Sequence, residues 1–437
     1  MAIHEIQGTS GSLLVTIAAR GRDRSSAEQT ADRVAAAIAR AAAAGQPVRV
    51  AGAGHSFTDI VLTDGHLLSL ERMNRVLSAD PATGLAEVEA GISINGLGPA
   101  LGAHGLALEN QGDVDPQSVA GAISTATHGT GATFRNLSGQ ISGLRLMTED
   151  GPVDCSEDTE PDLFRAARVG LGALGVITRV TVRCAPLYTL RRTDTPRPLD
   201  ETLDRLDELV DGHERFELFV FPYTRVALTR ITETTADPPQ PMSELERWIQ
   251  DDLIENGVLG LFNRTGRALP AAIPALNRTL AKLFRGSERV DRSYRIYANS
   301  RRVRFTEMEY AVPREAGREA IQRVLAMIER RRLPISFPLE FRFVAPDDAY
   351  LSPSNGRATA YIAAHVYRGM EHETYFRAVE SIMRDYDGRP HWGKRHYRTA
   401  ADLAPSYPDW DRFQEARERL DPNRRFRNDY LDRVLGP

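Results

Sequence analysis

The stretch VRVAGAGHSFTDIVLTDG, residues 48–65, constrains the fold most, because it opens like a nucleotide-binding turn and then fails to become a helix. A dinucleotide-binding βαβ unit needs a third glycine here and an amphipathic helix straight after it, since the pyrophosphate sits on that helix's N-terminus. Phe57 stands in the glycine's place, and TDIVLTDGHLLSL alternates and turns instead of running as a helix. The pattern argues against NAD on a doubly wound domain. A glycine-rich turn still binds pyrophosphate without a helix, because successive backbone N–H groups form an anion-binding concavity. A second such turn, SVAGAISTATHGTGA at 118–132, is rich in glycine, small residues and hydroxyls. Two loops of this kind suit a diphosphate cofactor pressed against the backbone, although either one alone is as easily ordinary turn chemistry.

At 437 residues the chain is long enough for two large domains. Lysine plus arginine total 55 against 59 acidic residues, a formal charge of −4, so nothing points to nucleic acid or another polyanionic partner. Two cysteines, Cys155 and Cys184, make neither a disulfide framework nor a Cys-x-x-Cys metal site. The N-terminal twenty residues lack a positive segment followed by an apolar core, and no apolar run approaches the roughly 18 residues that span a bilayer. The expectation is a soluble, cytoplasmic protein without a transmembrane segment.

Along the chain, residues 25–44 read as a helix stopped by Gly45, QPVRVAGAG as a short strand entering a turn, and a further helix starts near Ser93. GQISGLRLMTEDGPVDCS reads as two strands joined at Glu-Asp-Gly, and LGALGVITRVTVRCAP as a long strand ending before Pro186, where a domain ends. Beyond it come strands, a Pro-interrupted helical stretch at 242–285 expected to be a buried pair, the strand SRRVRFTEMEYAVP, and a helix at 314–332. The arginine clusters at 300–304 and 329–333 lie beside apolar-periodic segments and read as solvated edges.

LEFRFV at 339–344 alternates as a strand, placing Glu340 and Arg342 on one face, away from Leu339, Phe341 and Phe343, toward solvent or a polar cavity. ATAYIAAHVY at 358–367 carries His365 alone in an apolar run, and RPHWGKRHY at 389–397 combines an aromatic, a glycine and Lys394. His372, His391 and His396 do not match a zinc pattern, so no metal is expected.

AGAGHS, STATHGTG, LGALGVITRV, EFRF, HWGK and DPNRRFRNDYLDRVLG, in this order and at these separations, resemble the aldonolactone oxidoreductases of the vanillyl-alcohol-oxidase flavoprotein superfamily. That group includes L-gulonolactone oxidase, D-arabinono-1,4-lactone oxidase and alditol oxidase. The resemblance covers nearly the whole chain. It implies an α+β, two-domain flavoprotein: a PCMH-type FAD-binding domain over 1–186, an antiparallel-sheet substrate or cap domain over 187–404, and a segment 405–437 packing back on the first.

By the same resemblance the histidine of Gly-His-Ser, His55, forms a covalent bond to FAD, which explains its place in the loop. Gly52, Ala53, Gly54 and Ser56 would hold the pyrophosphate. Gly121, Ser124, Thr125, Thr127, His128, Gly129 and Gly131 would line the flavin from the second loop, with Gly175 and Ile177 at the adenine end. Glu340, Arg342, His365 and Lys394 match the set that such enzymes place over flavin and substrate. Hydride transfer to a flavin requires one group to take or hold the hydroxyl proton and cations to meet the negative charge that grows on the ring. Arg342 and Lys394 suit the charge, and Glu340 and His365 the hydroxyls. Which of those two is the base, the sequence leaves open.

Gly112 falls where oxidases of the group have glycine beside the flavin and dehydrogenases a bulkier residue, so it implies reactivity with O2. Asp113 replaces a serine near the substrate, and the usual N-terminal lead-in with its tryptophan is missing; both bear on substrate identity. The implied function is FAD-dependent oxidation of a CH–OH group in a sugar-derived lactone or polyol, a small polyhydroxylated substrate, with H2O2 released. The alternatives are a tailoring oxidase of a glycoside, amino sugar or natural product, and a dehydrogenase using another acceptor. A family member that binds without turnover would have lost Glu340, Arg342 or Lys394, and all three are present.

Overall fold

A computed structural model of the chain describes residues 13–18, 24–243, 246, 257, 259–298 and 303–437. Residues 300–302 of the first arginine cluster, and 244–245, 247–256 and 258 of the 242–285 stretch, lie outside the described residues.

Three sheets organise it. In a small parallel sheet, His66–Arg72 runs between Leu13–Ala18 and Val48–Ala51. Helix Arg24–Ala43 covers it, with Val34, Ala37, Ile38 and Ala41 recurring at helical spacing to pack on Val48, Leu68 and Leu70. A second, antiparallel sheet runs in the order Val76–Asp80, Leu85–Glu89, Val176–Pro186, Ile141–Thr148, Gly151–Ser156, with Leu106–Leu108 pairing on Val176–Pro186. The expected turn-linked pair before residue 157 is thus found, and so is the helix near Ser93, whose hydroxyl caps Ile94–Gly102 by accepting the Gly96 N–H.

The third sheet is antiparallel and eight-stranded, in the order Ser287–Arg292, Thr189–Pro198, Val226–Thr235, Arg215–Val220, Leu339–Val344, Thr359–Tyr367, Phe305–Pro313, Arg389–Pro390. Its two faces differ in chemistry. Met308, Tyr310, Phe341, Phe343 and Ile362 point to helices Gly317–Arg330 and Glu373–Arg384 and form an apolar core. The alternate positions, one residue along each strand, carry Asp194, Arg230, Glu217, Arg342, Glu340, His365 and Glu307. Period-two alternation therefore presses a layer of charge against the loops of the first half of the chain.

The helical stretch corrects one expectation. Leu259–Ala268 and Ile273–Leu283 bury Asn263, Ile273, Asn277 and Leu280, but Leu261, Leu269 and Leu283 remain exposed, so the pair is not fully buried. Among the described residues no helix is long and apolar enough to cross a membrane. Cys155 and Cys184 are free thiols.

The C-terminal segment closes against the start of the chain. Arg49, buried, donates to the carbonyls of Ile60, Leu171, Gly172 and Phe426. Asn428 donates its amide to the carbonyls of Asp59, Ile60 and Leu62, and the Val48 N–H reaches the Arg425 carbonyl at 2.8 Å.

Candidate active site

The glycine loop after Val48–Ala51 borders a long open cleft of about 2450 Å³. Gly52, Ala53 and Gly54 are exposed to it, and the N–H groups of Ala53 and Gly54 donate to no backbone carbonyl among the described residues. Gly54 has φ +71, a left-handed conformation that side chains with a Cβ rarely take, so the turn that aims these groups into the cleft requires glycine. His55 and Ser56 line the cleft beside them.

The second loop differs from the sequence reading. Val119–Ser124 is a short helix capped by Ser118, whose hydroxyl accepts the Gly121 N–H at 3.2 Å. Gly121, Ser124 and Thr125 line the cleft, as do Gly175 and Ile177. The rest of the loop turns to the charged sheet instead. His128 stacks on Tyr361 with ring centroids 3.7 Å apart, Thr130 donates its hydroxyl to the Phe216 carbonyl, and the Gly131 N–H donates to the Phe343 carbonyl at 2.8 Å. Thr127, behind the cleft wall, keeps a buried hydroxyl without a hydrogen-bond partner among the described residues.

Across the sheet the charges form one ladder. Arg230 bonds Asp194 at 2.7 Å and Glu217 at 3.3 Å; Glu217 bonds Arg342 at 2.7 Å; Arg342 pairs with Glu340 and lies 3.4 Å from Asp113. His365 Nε2 stands 4.0 Å from Glu340 and 3.4 Å from Glu307, and Glu307 holds Lys394 Nζ at 2.5 Å. Burial alone would lower the Arg342 guanidinium, but the carboxylates of Glu340, Glu217 and Asp113 outweigh it and raise it well above its ordinary value. Glu340 and Arg342 thus point away from solvent into this buried polar layer, where Arg342 borders a small polar pocket.

Of Glu340, Arg342, His365 and Lys394, only Lys394 lines the cleft. Arg342, with Asp113 and Gly129, borders a separate polar pocket of about 30 Å³, room for about one water. Glu340 and His365 line neither. Gly112 is buried, and a Cβ there would lie 2.9 Å from the His128 carbonyl oxygen, so only glycine fits without displacing that backbone.

Sequence reasoning missed Glu217, Glu307, Glu309 and the role of His391. Glu309 accepts from His128 Nε2 at 3.3 Å; burial would raise its carboxyl, but the facing His128 ring holds it well below the usual carboxylate range. His391 accepts the Gly393 N–H at its Nδ1, 3.0 Å away, and burial lowers the ring to about 3, so it stays neutral. His128, Glu309 and His391 bring ligand atoms within 4.8 Å of one another, yet His128 Nδ1 already faces the Gly129 carbonyl at 2.8 Å and His391 Nδ1 is engaged by Gly393. The signal for Glu307 and Glu309 was the alternation Thr-Glu-Met-Glu-Tyr, which repeats the Glu-x-Arg pattern of the strand two places away in the sheet.

Residues 180–434 match the D-arabinono-1,4-lactone oxidase family, and residues 27–156 match an FAD binding domain. The chain is 55% identical over 400 residues to an L-gulono-1,4-lactone dehydrogenase of Mycobacterium tuberculosis, covering 92% of this chain and 93% of that one. It is 37% identical to an L-gulonolactone oxidase of Mus musculus, covering 89% of each. A cholesterol oxidase from Brevibacterium sterolicum, a His121Ala mutant, superposes with a TM-score of 0.79 over 97% of this chain and 94% of the other at 16% identity, a likeness of fold. The residues present fit FAD. The cleft exceeds the roughly 300–1,000 Å³ of an ordinary small-molecule site, its glycine wall offers backbone N–H groups, and Gln117 on its border has a buried amide oxygen without a partner among the described residues. On the match to residues 180–434 and on identity across nine-tenths of a curated relative, the chain belongs to the D-arabinono-1,4-lactone oxidase family of FAD-dependent oxidoreductases.

Proposed function

We propose that the protein oxidises a carbinol of an aldono-1,4-lactone such as L-gulono-1,4-lactone. The observation that carries this reading is the joining of the His55 loop to the Lys394 loop at one wall of the cleft, with the ladder Glu307–His365–Glu340–Arg342 directly behind it. The names of the relatives at 55% and 37% identity supply the lactone. Bound in the cleft, FAD supplies a two-electron acceptor for hydride from the carbinol carbon.

In this reading His55 tethers the cofactor covalently, and Gly52, Ala53, Gly54 and Ser56 hold the pyrophosphate. Gly121, Ser124, Thr125, Thr127, His128, Gly129 and Gly131 support the flavin side, and Gly175 and Ile177 the adenine end. Lys394 and Arg342 offset negative charge in the transition state, Glu340 and His365 engage the substrate hydroxyls, and Asp113 bears on which lactone is accepted. A domain boundary near residue 186 and a cytoplasmic location without nucleic-acid partners belong to the same reading. Gly112 makes O2 the electron acceptor, with H2O2 released.

The dehydrogenase name of the 55% relative favours a second reading in which another acceptor reoxidises the enzyme. Anaerobic titration with a panel of lactones, alditols and glycosides separates the substrates: bleaching of the 450-nm band (about that wavelength for any oxidised flavin) by lactones alone is the expected result. Admitting air then separates the acceptors. Bleaching by glycosides and not by lactones would overturn the proposal.

A further inference from the structure

Lys394 is one of only two lysines in the chain; the other is Lys282. Every other side-chain cation apart from histidine is an arginine, which stays charged wherever it is buried, whereas a buried lysine readily loses its proton. The lysine at the cleft wall, 18% exposed, therefore depends on its neighbours for its charge.

Its neighbour is Glu307. The Glu307 carboxylate takes Lys394 Nζ on one oxygen at 2.5 Å and faces His365 Nε2 with the other at 3.4 Å. Strand pairing fixes the relation to His365, since Glu307 and His365 are direct cross-strand partners. The backbone fixes the relation to Lys394, since the Glu307 carbonyl accepts the Arg395 N–H at 2.9 Å and so docks the Lys394 loop on the strand. His365 is held from behind: the Pro338 carbonyl, 3.0 Å from Nδ1, can only accept, so Nδ1 donates to it and Nε2 turns to the carboxylate. The other charged groups facing this set are Glu309 on the same strand, Glu340 and Arg342 on Leu339–Val344, His391 beside Lys394, and Asp113 from the first half of the chain.

We propose that Glu307 is a positioning residue of the site, holding Lys394 at the cleft wall as an ammonium and His365 beside it. Resting on the function proposed above, this makes Lys394 a fixed positive charge and not a base. Burial would lower the ammonium, and Glu307 first, then Glu309 and Asp113, raise it instead. Reciprocally, burial would raise the Glu307 carboxyl, and Lys394 and His365 hold it below the usual carboxylate range. Without the Glu307 charge, only Glu309 and Asp113 would oppose burial at Lys394, and a neutral amine there would be a base instead of a fixed positive charge.

The chain's two lysines make the test direct. Holoprotein labelled with 13C at lysine Cε gives two signals, assigned by Lys282→Arg, and each is followed through a pH titration. In the wild type, Lys394 titrates above the ordinary lysine value of about 10.4; in Glu307→Gln it falls below that value, a shift of more than about one unit, or tenfold in proton affinity. Glu307→Asp, with the charge drawn back by one methylene, gives an intermediate value and keeps the test open should Glu307→Gln fail to fold. Glu340→Gln, which removes the carboxylate paired with Arg342, moves Lys394 much less. An unchanged Lys394 in both Glu307 variants, or an equal shift in Glu340→Gln, overturns the proposal. The titration needs no substrate, so a wrong substrate assignment leaves its outcome untouched.

Discussion

The Gly393 carbonyl accepts the Phe57 N–H at 2.8 Å and the Ser56 hydroxyl at 3.3 Å. One peptide group thereby joins the turn that carries His55 to the turn that carries Lys394, and Lys394 Nζ lies 5.2 Å from the Phe57 ring centroid. A cofactor attached at His55 would thus lie close to the ammonium that Glu307 holds from the sheet behind.

His55→Ala should leave the fold intact and release the flavin. Acid precipitation of the wild type is expected to keep the yellow colour in the pellet, and of the variant to move it to the supernatant. Colour in the wild-type supernatant would remove the tether while leaving the family unchanged.

Lys394→Met should slow flavin reduction by roughly 10²–10³-fold, the usual loss on deleting one preorganised charge partner from a transition state. Lys394→Arg should recover little of it, because a planar guanidinium does not occupy the point position held by Glu307 at 2.5 Å. Anaerobic stopped-flow absorbance measures both rates. Full activity in the arginine variant would show that charge alone, without its position, is sufficient.

Gly112→Ala should leave reduction by substrate nearly unchanged and slow reoxidation in air by at least about tenfold, or about 1.4 kcal/mol in the barrier. The new methyl group would press on the His128 carbonyl, 2.9 Å away, and narrow that side of the site. Equal reoxidation rates in wild type and variant would sink the assignment of Gly112 to oxygen access.

Acid should destabilise the fold in a window set by buried histidines. Burial lowers both His391 and His396 to about 3, against about 6.5 in an unfolded chain. Between those values the unfolded state binds protons that the folded state refuses, so stability rises with pH and is lost as pH falls from about 6.5 toward 3. Below about 4.3 the depressed carboxyls of Glu307 and Glu309 act in the same direction. Asp421, raised by burial to about 6, opposes them over a narrower range. His396→Gln, which retains a donor for the Tyr430 hydroxyl 3.0 Å away, should flatten the dependence of Tm on pH between about 6.5 and 4. An unaltered slope would show that His396 is not a source of it.

Much of this was legible from local pattern. The first glycine loop, the strand alternation of LEFRFV and the turn at Glu149-Asp150-Gly151 each announce themselves within a dozen residues. The ladder could not be read that way. Its members Asp194, Glu217, Glu307 and Arg342 come from different strands, and what joins them is the strand order, which places Arg215–Val220 beside Leu339–Val344 across more than a hundred residues of sequence. Glu307 was hidden for a second reason: its partner Lys394 arrives from a loop, where no periodicity forecasts which way a side chain turns. The second glycine loop was misread because small residues serve a short capped helix as readily as a turn, and Ser118 decided between them.

The closure of the C-terminal segment on Arg49 and on the loop after it gives the cleft walls from both ends of the chain, residues 52–62 and 423–433. During synthesis the glycine loop leaves the ribosome about 370 residues, or tens of seconds at about 5–20 residues per second, before the segment that completes its enclosure. The wall of the cleft is therefore completed only once the segment around Phe426 has been made and has folded back on Arg49.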